Sequence, residues 1–405
     1  MGLSIRRFVA ASGERTAVLV DGSGMPLYYP TLFVTWHLRS RSLAANSIFN
    51  ALNAIKALYV WQTDVGIDLE SLFSRGELLG EEQVRDLSDF LQRALPSLNQ
   101  DKKIVRIGRS HGTVGTSNHY FRLTVAADYL GFLADRLSPA GKRDGDAREM
   151  AGRIRANRPR KTNKSAPDRD ERYLDEAVVD LIAQALKPGS DLNPAREFPV
   201  QLRNMLMFMI LRMTGMRRGE LLNLKVSDFD FRSGTLKVVR RPDSKGDFRV
   251  HQPTAKTLQR MIPISPELMA HIHDYVLRYR NKLPMAKKHG YLFVTHKEGP
   301  TQGHPFSISA FQKWMSRIAS IVEGSGLHAH ALRHHWNYSF SLMMDAEGGS
   351  PEREEKLRSY VMGWKESSGT ARTYNRRHSK QKAAESVLEL QKKHFGKPSN
   401  EVVGE

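Results

Sequence analysis

The stretch LRNMLMFMILRM, from Leu202 to Met213, is almost continuous in methionine, leucine, phenylalanine and isoleucine. A helix with apolar residues on every side must be buried on most sides. Its methionines are interpreted as flexible core filler rather than as a ligand surface. This one segment therefore constrains the second half of the chain to a sizeable core that other elements surround.

The elements predicted around this helix are mostly helical. An amphipathic helix is predicted at 171–186, before the buried one. Two strand-like segments, Thr235–Arg240 and Met261–Ile264, follow it, and a polar, turn-rich excursion separates them. Helices return at Ser307–Val322, Ala331–Met344, Glu352–Met362 and Lys380–Lys393. The fold class predicted from this order is mainly α with a small antiparallel β-sheet (α+β).

The region 30–140 predicts a separate helical domain. Apolar residues from Ile48 to Tyr59 recur at spacings of four, three and four, and Asn46 or Ser47 is placed to cap that helix. A second helix is predicted from Ser117 to Leu137, with its apolar residues on one face.

Residues 1–29 and 141–167 flank this helical domain. Residues 15–29 predict two short strands joined at Asp21–Gly24, which would form a small N-terminal arm within 1–29. In 141–167 the apolar periodicity fades and lysines and arginines accumulate, which predicts a basic interdomain linker. Composition leaves open whether that linker follows a phosphate backbone or is a solvated tether. The second domain, with its C-terminal helix and tail, would then span 168–405.

The formal net charge of +19 over 405 residues indicates a polyanionic partner, because such a field attracts phosphates. Nucleic acid is the leading candidate, while ribosomes, anionic lipid or mere solubility stay open on charge alone.

No apolar run of 18 residues and no secretion signal is visible in the sequence. Membrane insertion and export are therefore not expected, and a cytoplasmic location is expected. The absence of cysteine excludes disulfides, cysteine-based zinc sites and thiol nucleophiles.

The first candidate motif is TGMRRGELLNL, from Thr214 to Leu224. Arg217 and Arg218 lie at a predicted helix entry, where backbone N–H groups already favour an anion, and a guanidinium there can bind a phosphate through two hydrogen bonds. Glu220 is spaced to orient buried donors nearby. Alone, the motif is more typical of a surface helix start with a few ion pairs.

The second candidate motif is HALRHHW, in which His330 and Arg333 lie three residues apart on one helical face and His334 follows on the same side. Zinc could use the two histidines, but no HExxH pattern accompanies them and an arginine between ligands would repel a dication. A His/Arg pair suits phosphate better than metal.

The third candidate motif is VMGWKESSGTARTYNRRH, in which a helix is predicted to end at Gly363. Tyr374 lies beside Arg372, Arg376 and Arg377. Nearby positive charge favours the phenolate, which makes this tyrosine a candidate nucleophile in a chain without cysteine. Most tyrosines are packing groups, so this motif alone does not decide.

Together and in this order, the three motifs resemble the boxes of the tyrosine recombinase (phage integrase) family. TGMRRGEL resembles its TGxRxxEL box and HALRHHW its HxLRH box. MGW followed by Tyr374 resembles the third box, which usually has LGH and a tyrosine about nine residues on; here the spacing from Trp364 is ten. The resemblance covers about 168–395, and 30–140 more weakly resembles the family's core-binding domain.

The resemblance implies roles for these residues. Arg217 and Arg333 would bind the scissile phosphate, His330 would hydrogen-bond it and assist proton transfer, and Tyr374 would attack. Trp364 would support the site by packing and one N–H bond. AKTLQRMIPI resembles the family strand that carries a general-acid lysine, which implies this role for Lys256; Lys245 in DSKGD is the competing candidate.

The resemblance also implies partners. Double-stranded DNA would be cleaved and rejoined with no cofactor, metal or ATP, by a homo-oligomer, expected to be a tetramer, on paired sites; the enzyme would be nucleoid-associated when bound. A need for accessory DNA-bending proteins stays open, as does packing of the C-terminal helix on its own domain or on a neighbouring protomer. The alternatives are a type IB topoisomerase or telomere resolvase, and a DNA-binding regulator that has lost catalysis.

Overall fold

The computed structural model describes residues 2–41, 43–94, 112–139, 144–160, 174–365 and 370–395, with the backbone alone at 144, 370–381 and 395. The chain divides into two compact units, Met1–Ser165 and Ala166–Glu405. Helices dominate both units, and each contains one small antiparallel sheet. The predicted fold class, mainly α with a little antiparallel β, is confirmed.

The first unit consists of a β-hairpin and helices. Its elements are β1 (Ser4–Val9), β2 (Arg15–Val20), α1 (Tyr28–Phe33), α2 (Ala45–Asp64), α3 (Leu69–Ser74), α4 (Glu81–Gln92), α5 (Thr116–Leu137) and α6 (Asp144–Ala156). A π-helical turn, Val34–Arg39, continues α1. The predicted helix at Ser117–Leu137 is thus confirmed within one residue as α5. Helix α2 begins after Ala44, so Asn46 and Ser47 lie in its first turn and the predicted cap was wrong.

The N-terminal hairpin differs from the prediction. Strand β2 pairs with β1, with Arg7 opposite Ala17, whereas the turn at Asp21–Gly24 leads only to a single bridge between Val20 and Pro26. Leu19 on β2 is fully buried in the core of the unit. The hairpin is therefore part of this unit's core rather than a separate arm.

The predicted linker 141–167 contains the helix α6. Met150 and Ile154 on α6 are fully buried, and Arg155 Nη2 lies 2.6 Å from Asp128 Oδ1 on α5. The linker prediction was wrong for this helix, because its many arginines obscured an apolar stripe of period three to four. Residues 161–167 of the predicted linker lie outside the described residues.

The second unit contains a three-stranded sheet among helices. Its elements are α7 (Glu176–Ala185), α8 (Phe198–Thr214), α9 (Arg218–Leu221), β3 (Phe229–Asp230), β4 (Thr235–Val238), β5 (Arg260–Pro263), α10 (Pro266–Asp274), α11 (Pro284–Lys287), α12 (Ile308–Ala319), α13 (Ala329–Ala346), α14 (Pro351–Met362) and α15 (Thr370–Phe395). Short turns of other helix types lie at Val226–Asp228 and at Tyr275–Lys282. Helix α7 begins at Glu176, later than the predicted start at 171.

Helix α8 lies in the core of the second unit, as its composition predicts. Leu206, Met207, Phe208, Ile210 and Leu211 are fully buried. Strands β3, β4 and β5 pair antiparallel in that order, with Leu236 opposite Ile262, which confirms both predicted strands to within about two residues.

The C-terminal helix is longer than predicted. Helix α14 ends at Gly363, which has a φ of +65°, as the sequence predicts. Helix α15 then begins at Thr370, ten residues before the predicted start at Lys380, and so includes Tyr374 in its first turns. It contacts α13 and α14 of the same chain, and Lys382 Nζ lies 3.6 Å from Asp345 Oδ2 on α13. In the described part of the chain, no helix is both long and apolar enough to cross a membrane.

Candidate active site

The first arginine motif lies at the turn between α8 and α9. Gly215 ends α8 with a φ of +59°, and Arg217 precedes the first residue of α9. The backbone N–H of Arg217 donates to Glu220 Oε2 at 3.0 Å, while the Arg217 side chain keeps 33% of its surface exposed. The backbone is thus held from inside while the guanidinium can reach a ligand. The neighbouring Arg218 is half-buried.

Arg333 of the second motif contacts the backbone of the first motif. Arg333 lies on α13, is 1% exposed and donates from Nη1 to the carbonyl oxygen of Gly215 at 2.7 Å. Its guanidinium carbon lies 5.1 Å from the centroid of the Trp364 ring, which is within the range of a cation–π contact. Arg333 therefore joins the segments that carry the first and third motifs.

His330 lies three residues before Arg333 on α13, so the two side chains are on the same face of that helix. Burial lowers the pKa of His330 from its ordinary value, and the positive charges of Arg333, His328 and Arg217 lower it further. The imidazole is consequently neutral at neutral pH and can accept or donate a hydrogen bond.

His334, which the sequence offered as a second zinc ligand, packs edge-on against His330, with 4.4 Å between ring centroids. Among the described residues, no group of three or more histidine, aspartate or glutamate side chains is arranged to hold a metal ion.

The third motif contributes Trp364. Its side chain is 7% exposed, and its backbone N–H donates to the carbonyl oxygen of Ser359 at 2.9 Å. The ring packs with Met362 and Trp336. The structure thus connects Gly215 of the first motif, Arg333 of the second and Trp364 of the third.

The two lysine candidates are both exposed to solvent. The backbone around Lys256 lies against the first motif, because a Cβ built on Gly219 would be 2.7 Å from the carbonyl oxygen of Thr254. Lys245 lies in the excursion between β4 and β5, whose Arg249 donates from Nη1 to the carbonyl oxygen of Leu222 at 2.9 Å.

The position of the Tyr374 side chain lies outside the described residues. Its backbone belongs to α15, which begins seven residues after Gly363. Its direction relative to Arg217 and Arg333 stays a prediction.

One buried ion pair that lies beside the first motif was not predicted from the sequence. Glu220 and Arg260 form an ion pair, with Nη2 and Oε2 2.9 Å apart and both side chains 1% exposed. Burial by itself would raise the pKa of Glu220, but the charge and hydrogen bonds of Arg260, with further hydrogen bonds from Thr257 and Arg217, lower it below its ordinary value. The spacing of Glu220 predicts an orienting role but does not identify its partner; Arg260, directly before the predicted strand Met261–Ile264, was the available signal.

These contacts connect all three motifs and create a local cationic centre beside a neutral imidazole. Such an arrangement suits an anion whose oxygens accept hydrogen bonds from two guanidiniums, and a phosphate diester has this chemistry.

Comparison with known proteins identifies the family of this chain. The model of the phage integrase family matches residues 172–381, slightly more than half of the chain. Tyrosine recombinase XerD of Halalkalibacterium halodurans is 29% identical over 143 residues, which are 35% of this chain and 42% of that protein. XerD of Yersinia pestis is 24% identical over 242 residues, which are 55% of this chain and 72% of that protein. The first match thus spans less than half of that relative's length.

Solved structures of recombinases are also similar. A post-cleavage complex of the XerH site-specific recombinase with palindromic difH substrate has a TM-score of 0.47 and 16% identity, and covers 82% of this chain and 77% of that one. A lambda integrase dimer bound to a COC′ core site has a TM-score of 0.46 and 15% identity, and covers 85% of this chain and 75% of that one. With the family model matched across the three motifs, the chain belongs to the phage integrase family.

Proposed function

We propose that this protein is a site-specific DNA recombinase that cleaves and rejoins DNA through a 3′-phosphotyrosyl intermediate. The observation that carries the proposal is that Arg333 joins the first and third motifs, through the carbonyl oxygen of Gly215 and the ring of Trp364, with His330 three residues before it on the same helix. Membership of the phage integrase family supports the same reaction class.

The chemistry needs positive charge where negative charge develops. Attack on a phosphodiester spreads charge over the nonbridging oxygens, and preorganised donors that stabilise this charge can contribute on the order of 10²–10³-fold each. Arg333, held by the Gly215 carbonyl and the Trp364 ring, is preorganised in this sense. Two guanidiniums then supply the stabilisation that other phosphoryl-transfer enzymes obtain from metal ions, so neither metal nor ATP is required.

Tyr374 is the proposed nucleophile. Its phenolate oxygen forms a bond to phosphorus as the bond to the 5′ oxygen breaks, which leaves a 3′-phosphotyrosyl link and a free 5′-hydroxyl. Because the energy of the phosphodiester is retained in the new ester, a different 5′-hydroxyl can reseal the strand. His330 accepts or donates the hydrogen bond that assists proton movement at the phosphate.

Lys256 is the proposed general acid for the leaving 5′ oxygen. Its segment touches Gly219 and Glu220 in the first motif, since the Thr257 hydroxyl donates to Glu220 Oε1. Lys245 lies earlier in the same excursion, where Arg249 contacts Leu222, near the end of the first motif. Thr257, next to Lys256, instead shares Glu220 with the backbone of Arg217, which favours Lys256.

The proposed substrate is double-stranded DNA, which the net charge of +19 attracts. Strand exchange requires two duplexes, so the working form is a homo-oligomer, proposed to be a tetramer, on paired sites. Phosphate contacts release counterions, so affinity should fall steeply with salt.

Trapping of a covalent complex tests the proposal. Duplexes that the protein retains from a pool of random sequence supply a substrate, and a nick beside the cleaved phosphate lets the freed strand diffuse away so that the intermediate accumulates. The wild type should form a complex that survives denaturation, in EDTA and without ATP. Tyr374→Phe should form none, whereas Tyr360→Phe, a matched change at a 63% exposed tyrosine on α14, should react like the wild type. Equal covalent yield from Tyr374→Phe and the wild type would refute the nucleophile and with it the function.

A further inference from the structure

Arg260, at the first position of β5, contacts three parts of the proposed site. It is 4% exposed, and its guanidinium uses all three nitrogens as donors: Nε to the carbonyl oxygen of Val361 at 2.5 Å, Nη1 to Thr257 Oγ1 at 3.0 Å and Nη2 to Glu220 Oε2 at 2.9 Å. These acceptors belong to the third motif, the lysine segment and the first motif. One side chain thus holds together segments that are far apart in sequence.

Glu220 also contacts the first motif and the lysine segment, besides Arg260. Its carboxylate accepts from the backbone N–H of Arg217 at 3.0 Å and from the Thr257 hydroxyl, besides its ion pair with Arg260. A carboxylate with several donors is held in one geometry, because each hydrogen bond limits its rotation. The backbone of Arg217 and the residue next to Lys256 therefore share one buried anchor.

The segment of Lys256 is held on both of its sides. On one side, the carbonyl oxygen of Thr254 lies so close to Gly219 that a Cβ there would be 2.7 Å from it. On the other side, the backbone N–H of Leu258 donates to the carbonyl oxygen of Gly363 at 3.0 Å. The lysine side chain itself is exposed, so its reach is set by a backbone that these contacts hold.

We propose that Arg260 is a positioning residue that sets where Lys256 delivers its proton. The inference rests on the proposed function, because it concerns the leaving-group step of that reaction. Arg260 is buried and acts through the backbone of the lysine segment, with Glu220 and Val361 as its fixed points. The Arg260 side chain is buried and would not contact the phosphate itself.

The leaving-group step gives this role a specific signature. As the phenolate of Tyr374 bonds to phosphorus, the bond to the 5′ oxygen breaks and that oxygen takes a proton from the ammonium of Lys256, which leaves a neutral amine and a 5′-hydroxyl. If sulfur replaces the bridging 5′ oxygen, the group leaves as a thiolate. A thiolate is a much weaker base than an alkoxide and is stable near neutral pH without a proton donor. A defect in proton delivery is therefore relieved by the sulfur substrate, while a defect in phosphate binding or attack is not.

The experiment compares single-turnover cleavage of nicked duplexes with oxygen or sulfur at the bridging position of the mapped scissile phosphate. The main variant is Arg260→Lys, which keeps a cation beside Glu220 but replaces three separate donor nitrogens with one, so it cannot reach all three partners. We expect cleavage of the oxygen substrate to fall on the order of 10²-fold, within the usual contribution of a general acid, and cleavage of the sulfur substrate to stay within about threefold of the wild type. Lys256→Ala should show the same discrimination at least as strongly.

Arg280→Lys is the matched control for burial and stability. Arg280 is also 4% exposed and donates to backbone carbonyls, from Nε to Tyr291 at 2.8 Å and from Nη2 to Ala286 at 2.9 Å, away from the three motifs. It should lower the melting temperature without separating the two substrates. Thr257→Val, which removes only the hydroxyl between Arg260 and Glu220, is a milder second variant and should show the same pattern with a smaller loss.

The possible failures are distinguishable. If the wild type cleaves neither substrate, the proposed function fails and takes this inference with it. If the wild type cleaves both, but Arg260→Lys and Thr257→Val slow both substrates equally or slow neither, the proposed function stands and the positioning role of Arg260 is overturned. Equal slowing of both substrates by Lys256→Ala would also overturn it.

Discussion

The contact between the third motif and the lysine segment predicts that Gly363 tolerates no side chain. Gly363 has a φ of +65°, and a Cβ there would lie 2.9 Å from Arg260 Nη1 and 2.9 Å from the carbonyl oxygen of Leu258. Gly348, after α13, has nearly the same φ of +67° but no heavy atom within 4 Å of the added Cβ. The pair Gly363→Ala and Gly348→Ala thus separates crowding from backbone strain.

The two substitutions should differ by the cost of crowding. An L-residue in the left-handed region costs about 1–2 kcal/mol, and both variants incur this cost. Extra volume in a packed site adds about 1–3 kcal/mol, which only Gly363→Ala should incur. The free energy of unfolding should therefore fall by about 1–2 kcal/mol for Gly348→Ala and by about 2–5 kcal/mol for Gly363→Ala.

Activity should separate the two variants more clearly than stability. A misplacement near 1 Å at a reacting group can cost about 10²-fold, so Gly363→Ala should slow single-turnover cleavage by one to two orders of magnitude at saturating DNA. Gly348→Ala should cleave at the rate of the wild type. Urea unfolding and cleavage of the nicked duplex, measured on the same preparations, provide both quantities. Equal losses of stability and equal rates in the two variants would show that the close contact between Gly363 and the lysine segment has no energetic importance.

Other contacts lead to three further predictions. Gly219→Ala should destabilise the protein and slow cleavage, because its Cβ would lie 2.7 Å from the Thr254 carbonyl oxygen. Gly152→Ala, in open space on helix α6, should instead stabilise the protein by up to about 1 kcal/mol, and urea unfolding of both variants checks this. NMR titration should give His330 a pKa below its ordinary value, and this pKa should rise in Arg333→Gln; an unchanged pKa would contradict the proximity of the two side chains. Because the folded protein binds this proton less tightly than the unfolded chain, whose pKa is about 6.5, the protein should lose stability as the pH falls below that value. Arg333→Lys should lower the cleavage rate on the order of 10²–10³-fold while DNA affinity, measured by fluorescence anisotropy, changes far less.

Local patterns predicted much of the second unit. The buried α8, the strands around the excursion and the end of α14 at Gly363 all depend on apolar periodicity or on glycine, which act over a few residues. Motif order predicted the roles of Arg217, His330 and Arg333, which stay predictions, and the contact of Arg333 with the Gly215 carbonyl joins the first two motifs.

The errors came from patterns that compete over the same residues. In α6 a run of arginines concealed a buried stripe that includes Met150 and Ile154. At the N-terminus, the turn at Asp21–Gly24 was predicted to join the two strands, whereas the strand that carries the buried Leu19 pairs with β1. The bond between Arg260 and the Val361 carbonyl joins residues about one hundred positions apart, and no local pattern encodes it.

The identity of the amino acid that becomes linked to DNA tests the central claim most directly. The trapped complex would be digested with protease and nuclease, and the peptide that carries a nucleotide sequenced by mass spectrometry. The account predicts that the nucleotide is attached to Tyr374 through a 3′-phosphate, with a free hydroxyl on the 5′ end of the other fragment. A nucleotide on another residue, or a link through a 5′-phosphate, would contradict it.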